Sequence, residues 1–219
     1  MNPTMRLEKP TIIGVGVRTY GDRCGVARAL DAIGERWALL VVRELLLGPK
    51  RFTDLRAGLP HIGPDMLSQR LRELERAGVL HRHTLPPPAG SRVYELTERG
   101  RELEPVVLAL GRWGSRAPFP GGDARLGVDA FVVALKTLFQ PTNLEATVEL
   151  RLDDQAFTAT IAGERFAVAR GAADHPDATI TAAPGALAAA IWHDGPRDDV
   201  RIAGNTDLAE RFLNAFPPH

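Results

Sequence analysis

The sequence predicts two domains of different class: a mainly α half over residues 1–119, followed by an α+β half over residues 120–219. Three observations predict it. Residues 51–99 read in order as helix, turn, helix, two short strands and helix. Charge divides along the chain: residues 1–116 hold 19 Lys and Arg against 13 Asp and Glu, residues 117–219 hold 8 against 14, and the formal net charge of zero hides the split. Between the halves, GSRAPFPGGD (residues 114–123) gathers Gly, Pro and Ser and reads as a linker with its boundary near Pro120.

Composition bounds the rest. With 219 residues, 44% hydrophobic and 25% charged, the chain is ordinary for a soluble globular protein. It has no uncharged apolar run of about 18 residues, and the start MNPTMRLEKP lacks the apolar core of a secretion signal. A single cysteine, Cys24, cannot form an intrachain disulfide. The expectation is a soluble cytoplasmic protein without repeats or low-complexity tracts.

After an irregular arm, Val26 to Trp37 and Ala38 to Leu47 give two adjoining helices. The second, WALLVVRELLLG, is apolar on most sides and should be buried, and Gly48-Pro49 stops it. Phe52 and Leu55 anchor a short helix, RFTDLRAG, ended by Gly58 and Pro60. The next helix opens at HIGPD, where Pro64 suits the first turn. Leu67, Leu71 and Leu74 form its apolar face, continued by Gly78. At about 100° per residue, Asp65, Gln69, Arg72 and Arg76 lie opposite, flanked by Ser68 and Glu73. Val79 to Leu85 and Arg92 to Leu96 are strand-like and joined by PPPAGS, a loop that proline keeps from helix. Thr97-Glu98 then starts a helix through Leu103, Val106, Val107, Leu110 and Trp113. Its apolar positions exceed what a small three-helix core covers, which points to a partner subunit.

This order is that of a winged helix–turn–helix, whose second helix fits the major groove of DNA. Ser, Gln and Arg in the early turns hydrogen-bond base edges and phosphates. Arg82, His83 and Arg92, at or near the hairpin tip, would reach phosphates or a minor groove. An ordinary amphipathic helix with a solvated polar face accounts for the helix alone; the short helix and tight turn before it favour DNA. Two recognition helices in a dimer would lie about 34 Å apart on a palindromic site.

Cys24, AIGERW (32–37), LLLGPKRFTDLRAGLPHIGPDMLSQRLRELERAGVLHR (45–82) and YELTERGRELEPVVLALGRW (94–113) closely resemble the HxlR family, winged helix–turn–helix regulators of bacteria related to MarR. The resemblance spans roughly residues 22–116. It implies a homodimer built from the N-terminal and last helices, a recognition helix from Pro64 to Ala77, and a wing from Val79 to Leu96. Carried over by motif position, Arg51, Ser68, Gln69, Arg70 and Arg72 are DNA-contacting candidates. Pro64, Asp65, Arg76, Arg82, His83 and Arg92 complete the expected set. Cys24, flanked by Arg23 and Arg28, stands where some relatives carry an oxidant-sensing cysteine. A small buried residue at a dimer contact is the other reading.

In the second half, Ala124 to Phe139 reads as an amphipathic helix, and Leu144, Ala146, Val148, Leu150 and Leu152 alternate as a half-buried strand. Further strands are expected over Ala156–Ile161, Phe166–Arg170, Ala178–Ala182 and Val200–Ile202, with helices at LAAAIWHDG and DLAERFLNAF. That order gives helices on one face of a largely antiparallel sheet. HPDATITAAPGALAAAIW (175–192) and VRIAGNTDLAERFLNAF (200–216) resemble the sterol-carrier-protein-like fold, which implies an apolar tunnel for a lipid-like molecule. Phe131, Leu135, Phe166, Trp192 and Phe212 are the candidate pocket residues, with plain core as the alternative.

No reactive constellation is legible, so an enzyme is not expected, and neither is a cofactor. Gly14-Val15-Gly16 lacks the strand–helix setting of a dinucleotide loop, and Asp153-Asp154 and Asp198-Asp199 fall in turns. The six histidines show no metal-ligand spacing; His81 and His83 share a strand face without a third partner. The expectation is a dimeric bacterial repressor whose C-terminal half senses a small hydrophobic effector. The alternative is a hydrophobic-ligand carrier with autoregulatory DNA binding.

Overall fold

The computed structural model describes residues 19–117, 125–193 and 195–217. Pro120 with most of the expected linker, and Gly14-Val15-Gly16, lie outside the described residues. The first half is mainly helical: α1 (Gly25–Ile33), α2 (Ala38–Leu45), α3 (Phe52–Gly58) and α4 (Pro64–Arg76), then β1 (Leu80–Thr84) and β2 (Arg92–Leu96), then α5 (Glu98–Arg101) and α6 (Glu104–Ser115). The central α2 is buried at Ala38, Val41, Val42 and Leu45, as its all-round apolar sequence requires.

Two helix boundaries differ from expectation. The first helix stops at Ile33 rather than Trp37: Gly34 caps it, and Trp37 takes a left-handed conformation (φ 78°) to start α2. Glycine is a poor helix former, and a left-handed residue cannot continue a helix. The single helix expected from Thr97 to Trp113 is two, because Pro105 has no N–H for the carbonyl of Arg101 and its ring would crowd it.

The second half is α7 (Val128–Leu138), β3 (Glu145–Leu152), β4 (Gln155–Ala162), β5 (Arg165–Arg170), β6 (Ala178–Ala182), α8 (Pro184–Trp192), β7 (Arg201–Gly204) and α9 (Thr206–Leu213). The sheet order is β5-β4-β3-β6-β7; β3 and β6 run parallel and every other neighbouring pair is antiparallel. Strict alternation in β3 puts Ala146, Val148, Leu150 and Leu152 on the core face. They meet Phe157 and Ile161 of β4, Ile180 of β6, and Phe131, Leu187 and Phe212 from the three helices.

Helix α7 serves both halves. Phe131, Val132 and Leu135 belong to the core over the sheet, while Val133 joins the helical core of Val41, Leu55, Leu67 and Leu71. It also lies close against α6, where a Cβ on Gly111 would come within 3.0 Å of the Thr137 side chain. Arg112 Nε donates to the Thr137 carbonyl at 3.0 Å, and Glu104 pairs with Lys136. A two-domain reading from composition therefore meets a structure in which the halves are packed together.

Candidate nucleic-acid interface

The unit starts at Arg51. The Asp54 carboxylate accepts from the Arg51 backbone N–H at 3.2 Å and from its Nε at 3.0 Å, closing the first turn of α3. Burial works against the charge on Asp54, but the Arg51 hydrogen bonds outweigh it and hold the carboxyl below its ordinary value. Leu55, Leu59 and Ile62 are buried, so the turn between α3 and α4 is pinned from both ends.

Helix α4 then has two distinct faces. Leu67, Leu71 and Leu74 are buried, each contributing about 1.5–3 kcal/mol by leaving water. Asp65, Gln69, Arg72 and Arg76 are exposed, with Ser68 half-buried at their flank. Gln69 Nε2 donates to Glu73 at 3.0 Å, which sets the amide across the outer face. Pro64, at the first turn, is exposed.

Arg70 departs from expectation. It is only 4% exposed, pairs with Glu73, and lies 3.7 Å from Glu35 in the turn before α2. Its guanidinium is engaged inside the protein, because position 70 falls beside the buried leucines rather than opposite them. It braces α4 against the preceding turn.

Gly78 (φ 69°) turns the chain out of α4 into β1. The Thr97 hydroxyl donates to the Gly78 carbonyl at 2.6 Å and accepts from Gly100 N–H at 3.0 Å. A Cβ on Gly100 would stand 1.9 Å from the Val79 carbonyl oxygen, so only glycine lets α5 approach this corner. The wing is thereby locked to α4. In it His81 faces Glu95, Arg82 faces Tyr94 and Thr84 faces Arg92. Arg82 and Arg92 are exposed; His83 is half-buried.

The register also supplies a partner that spacing along the chain does not reveal. Glu95 lies opposite the histidine pair, its Oε2 3.8 Å from His81 Nε2 and 3.6 Å from His83 Nε2. The expectation of two histidines without a third group is corrected: the hairpin folds the third group over from a strand fourteen residues away. Sequence reading missed Glu95 because strand register, not proximity in sequence, brings it there.

Lys50 ties the wing to the second half of the protein. Its backbone exchanges hydrogen bonds with Tyr94 at 3.0 and 2.8 Å, while its ammonium bonds Glu44 at 2.6 Å and pairs with Asp129 of α7. Asp129 is also paired with Arg170 of β5, whose Nε donates to the Leu47 carbonyl at 3.2 Å. Burial lowers the pKa of Lys50 and of Arg170, with Glu44 acting in the opposite direction on both.

Of the eight large apolar side chains exposed among the described residues, five lie on α1 and α6: Val26 and Leu30 on the first, and Val106, Leu110 and Trp113 on the second, with Trp113 74% exposed. Cys24 is a free thiol at the start of α1 and is exposed in the single chain. An apolar groove of about 280 Å³ opens between α2, α6 and α7, lined by Leu39, Leu110, Val133 and Ala134 among others. None of the five candidate pocket residues lines it. Phe131, Leu135 and Phe212 are instead buried in the core, with Phe166 and Trp192 packed against them. Among the described residues no helix is long and apolar enough to cross a membrane.

Comparison with known proteins falls on this same unit. The family model for HxlR-like helix-turn-helix proteins matches residues 32–118. The uncharacterized HTH-type transcriptional regulator YdeP of Bacillus subtilis is 43% identical over 93 residues, 42% of this chain and 73% of its own. YodB, an HTH-type transcriptional regulator from the same organism, is 36% identical over 93 residues, covering 42% of this chain and 83% of its own. The solved structure of the redox regulator HypR in its oxidised form has 39% sequence identity and a TM-score of 0.39, covering 44% of this chain and 99% of that one.

Proposed function

The chain belongs to the HxlR-like helix–turn–helix family of MarR-like, DNA-binding transcriptional regulators, and from that premise we propose that it acts as a dimeric repressor whose C-terminal half adjusts its affinity for a palindromic operator. The observation that carries this reading is the outer face of α4. Asp65, Ser68, Gln69, Arg72 and Arg76 stand opposite three buried leucines, beside a wing bearing Arg82 and Arg92. Gln69, Ser68 and Arg72 read base edges; Arg51, Arg76, Arg82 and Arg92 meet phosphates. A dimer over a promoter represses by occupying it.

The exposed apolar faces of α1 and α6 support the dimer, since Val26, Leu30, Val106, Leu110 and Trp113 would leave water together. Cys24 starts α1 beside that face, and oxidation there, through an intersubunit disulfide, would bias the dimer. Non-reducing electrophoresis after diamide treatment tests this: a dimer band absent in Cys24→Ser supports it, and its absence in both ends it.

The C-terminal half, read as a sterol-carrier-like layer of helices on a sheet, would act through α7. The groove between α2, α6 and α7 is the favoured effector site, because a small hydrophobic molecule there touches both halves. The carrier alternative is less well supported, since its candidate pocket residues fill the core. Fluorescence anisotropy on the DNA upstream of its own gene, with random duplex as competitor and salt varied, tests the central reading. Binding that survives competitor and weakens with salt supports it; no binding even at low salt ends it.

A further inference from the structure

We propose that the wing carries a binding site for a divalent transition-metal ion, with Zn²⁺ as its reference member, formed by His81, His83 and Glu95. The two histidines alternate onto one face of β1, and antiparallel register sets Glu95 opposite His81. Both Nε2 atoms approach the same carboxylate oxygen, at 3.8 and 3.6 Å, and the three ligand atoms all lie within 4.8 Å of one another. Two ligands each about 2.0–2.1 Å from a tetrahedral ion stand roughly 3.3 Å apart. The His–Glu95 separations need to shorten by only a few tenths of an ångström, and the widest gap in the trio by up to about 1.5 Å, within reach of side-chain rotation in exposed and half-buried groups.

The surroundings favour that chemistry. The imidazole rings stack with centroids 5.1 Å apart, which keeps both donor edges on one side of the hairpin. Arg101 Nη1, held by the Leu96 carbonyl at 2.8 Å, lies 3.7 Å from the other oxygen of Glu95. It orients the carboxylate as an outer partner, while its charge moderates affinity. Two imidazoles and one carboxylate suit Zn²⁺, Ni²⁺ or Cu²⁺ better than Mg²⁺ or Ca²⁺, and three protein ligands leave a position for water.

The site's consequence rests on the DNA-binding reading above. A dication between β1 and β2 replaces the negative charge of Glu95 with a positive one beside Arg82 and Arg92, and it pins the two strands. The metal-loaded wing therefore holds phosphates more strongly, and the ion acts as a co-ligand of DNA.

The test uses the full chain carrying Cys24→Ser, which removes the thiol as a competing ligand. Zn²⁺ is titrated against a chromophoric chelator, with Co²⁺ absorption as a spectroscopic check. Expected is saturation at a single ion per chain and a loss of at least about tenfold in affinity in His83→Gln and in Glu95→Gln. His175→Gln, outside the hairpin, keeps the parental affinity, and circular dichroism verifies that each variant is folded. Lack of a saturable site, or equal affinity in Glu95→Gln, overturns the proposal and reduces the trio to imidazole–carboxylate contacts. Anisotropy with Zn²⁺ and with EDTA then reads the consequence: several-fold tighter DNA binding with Zn²⁺ in the parent, and no response in Glu95→Gln. Metal binding without any DNA response overturns the co-ligand role. Metal binding with no DNA binding under either condition counts against the nucleic-acid reading instead.

Discussion

Lys50 and Asp129 form an ion pair across the two halves of the protein, with side chains only 11% and 3% exposed. The same lysine is joined through its backbone to Tyr94 of the wing, and the same aspartate also holds Arg170 of β5. A residue pair 79 positions apart in sequence thus connects the wing, α7 and the sheet. Asp129→Ala would leave Lys50 and Arg170 without that carboxylate in a site poor in water. The expected loss is about 3–5 kcal/mol, read from urea denaturation. Adding Lys50→Met should not restore the loss, because it takes the lysine from the buried Glu44 carboxylate as well.

Arg72→Ala and Gln69→Ala should each weaken specific DNA binding by about 1–3 kcal/mol, near five- to 150-fold, with the fold retained because both side chains are exposed. Arg82→Ala should weaken specific and random duplex alike and flatten the salt dependence. Competition anisotropy separates the two behaviours. Arg70→Ala should behave differently again: its loss would fall on thermal stability, since its charge is engaged with Glu73 and Glu35.

Trp113→Glu places a charge on the most exposed large apolar side chain of α6. Analytical ultracentrifugation should show a shift from dimer to monomer, and operator affinity should fall with it. A variant that remains dimeric would move the subunit interface off this face.

Gly100→Ala should destabilise the protein by at least about 1–3 kcal/mol, because its Cβ meets the Val79 carbonyl, which is backbone and cannot swing away. Thermal melts check this. Gly114→Ala, where a Cβ meets nothing within 4 Å, is the matched control.

Asp54 should make the start of α3 sensitive to acid. Its carboxyl is held below the ordinary value, so its stabilisation is present in full above the unfolded pKa and is lost as pH falls through the folded one. Urea midpoints for the parent and Asp54→Asn should therefore differ near neutral pH and converge below about pH 4. A constant difference across that range would remove Asp54 from the acid response.

Local order was readable from the residues themselves. The leucine spacing in α4, proline at its first turn, alternation in β3 and the glycine stops each act within a few residues, through backbone sterics and the periods of helix and strand. They predict the helix–turn–helix, its outer face and the class of the second half. What lies between elements was decided by packing. Arg70 sits on a polar position by type but falls beside Leu67 and Leu71 in space, and Glu35 meets it only once α1 and α2 are folded. Glu95 joins His81 and His83 through strand register. Phe131 and Phe212, distant in sequence, meet in one core over the sheet, and Lys50 finds Asp129 only after α7 docks. Periodicity states which face of an element is apolar. Which neighbour covers that face, and which charges are trapped beneath it, depends on contacts between distant segments, and only the tertiary structure decides those.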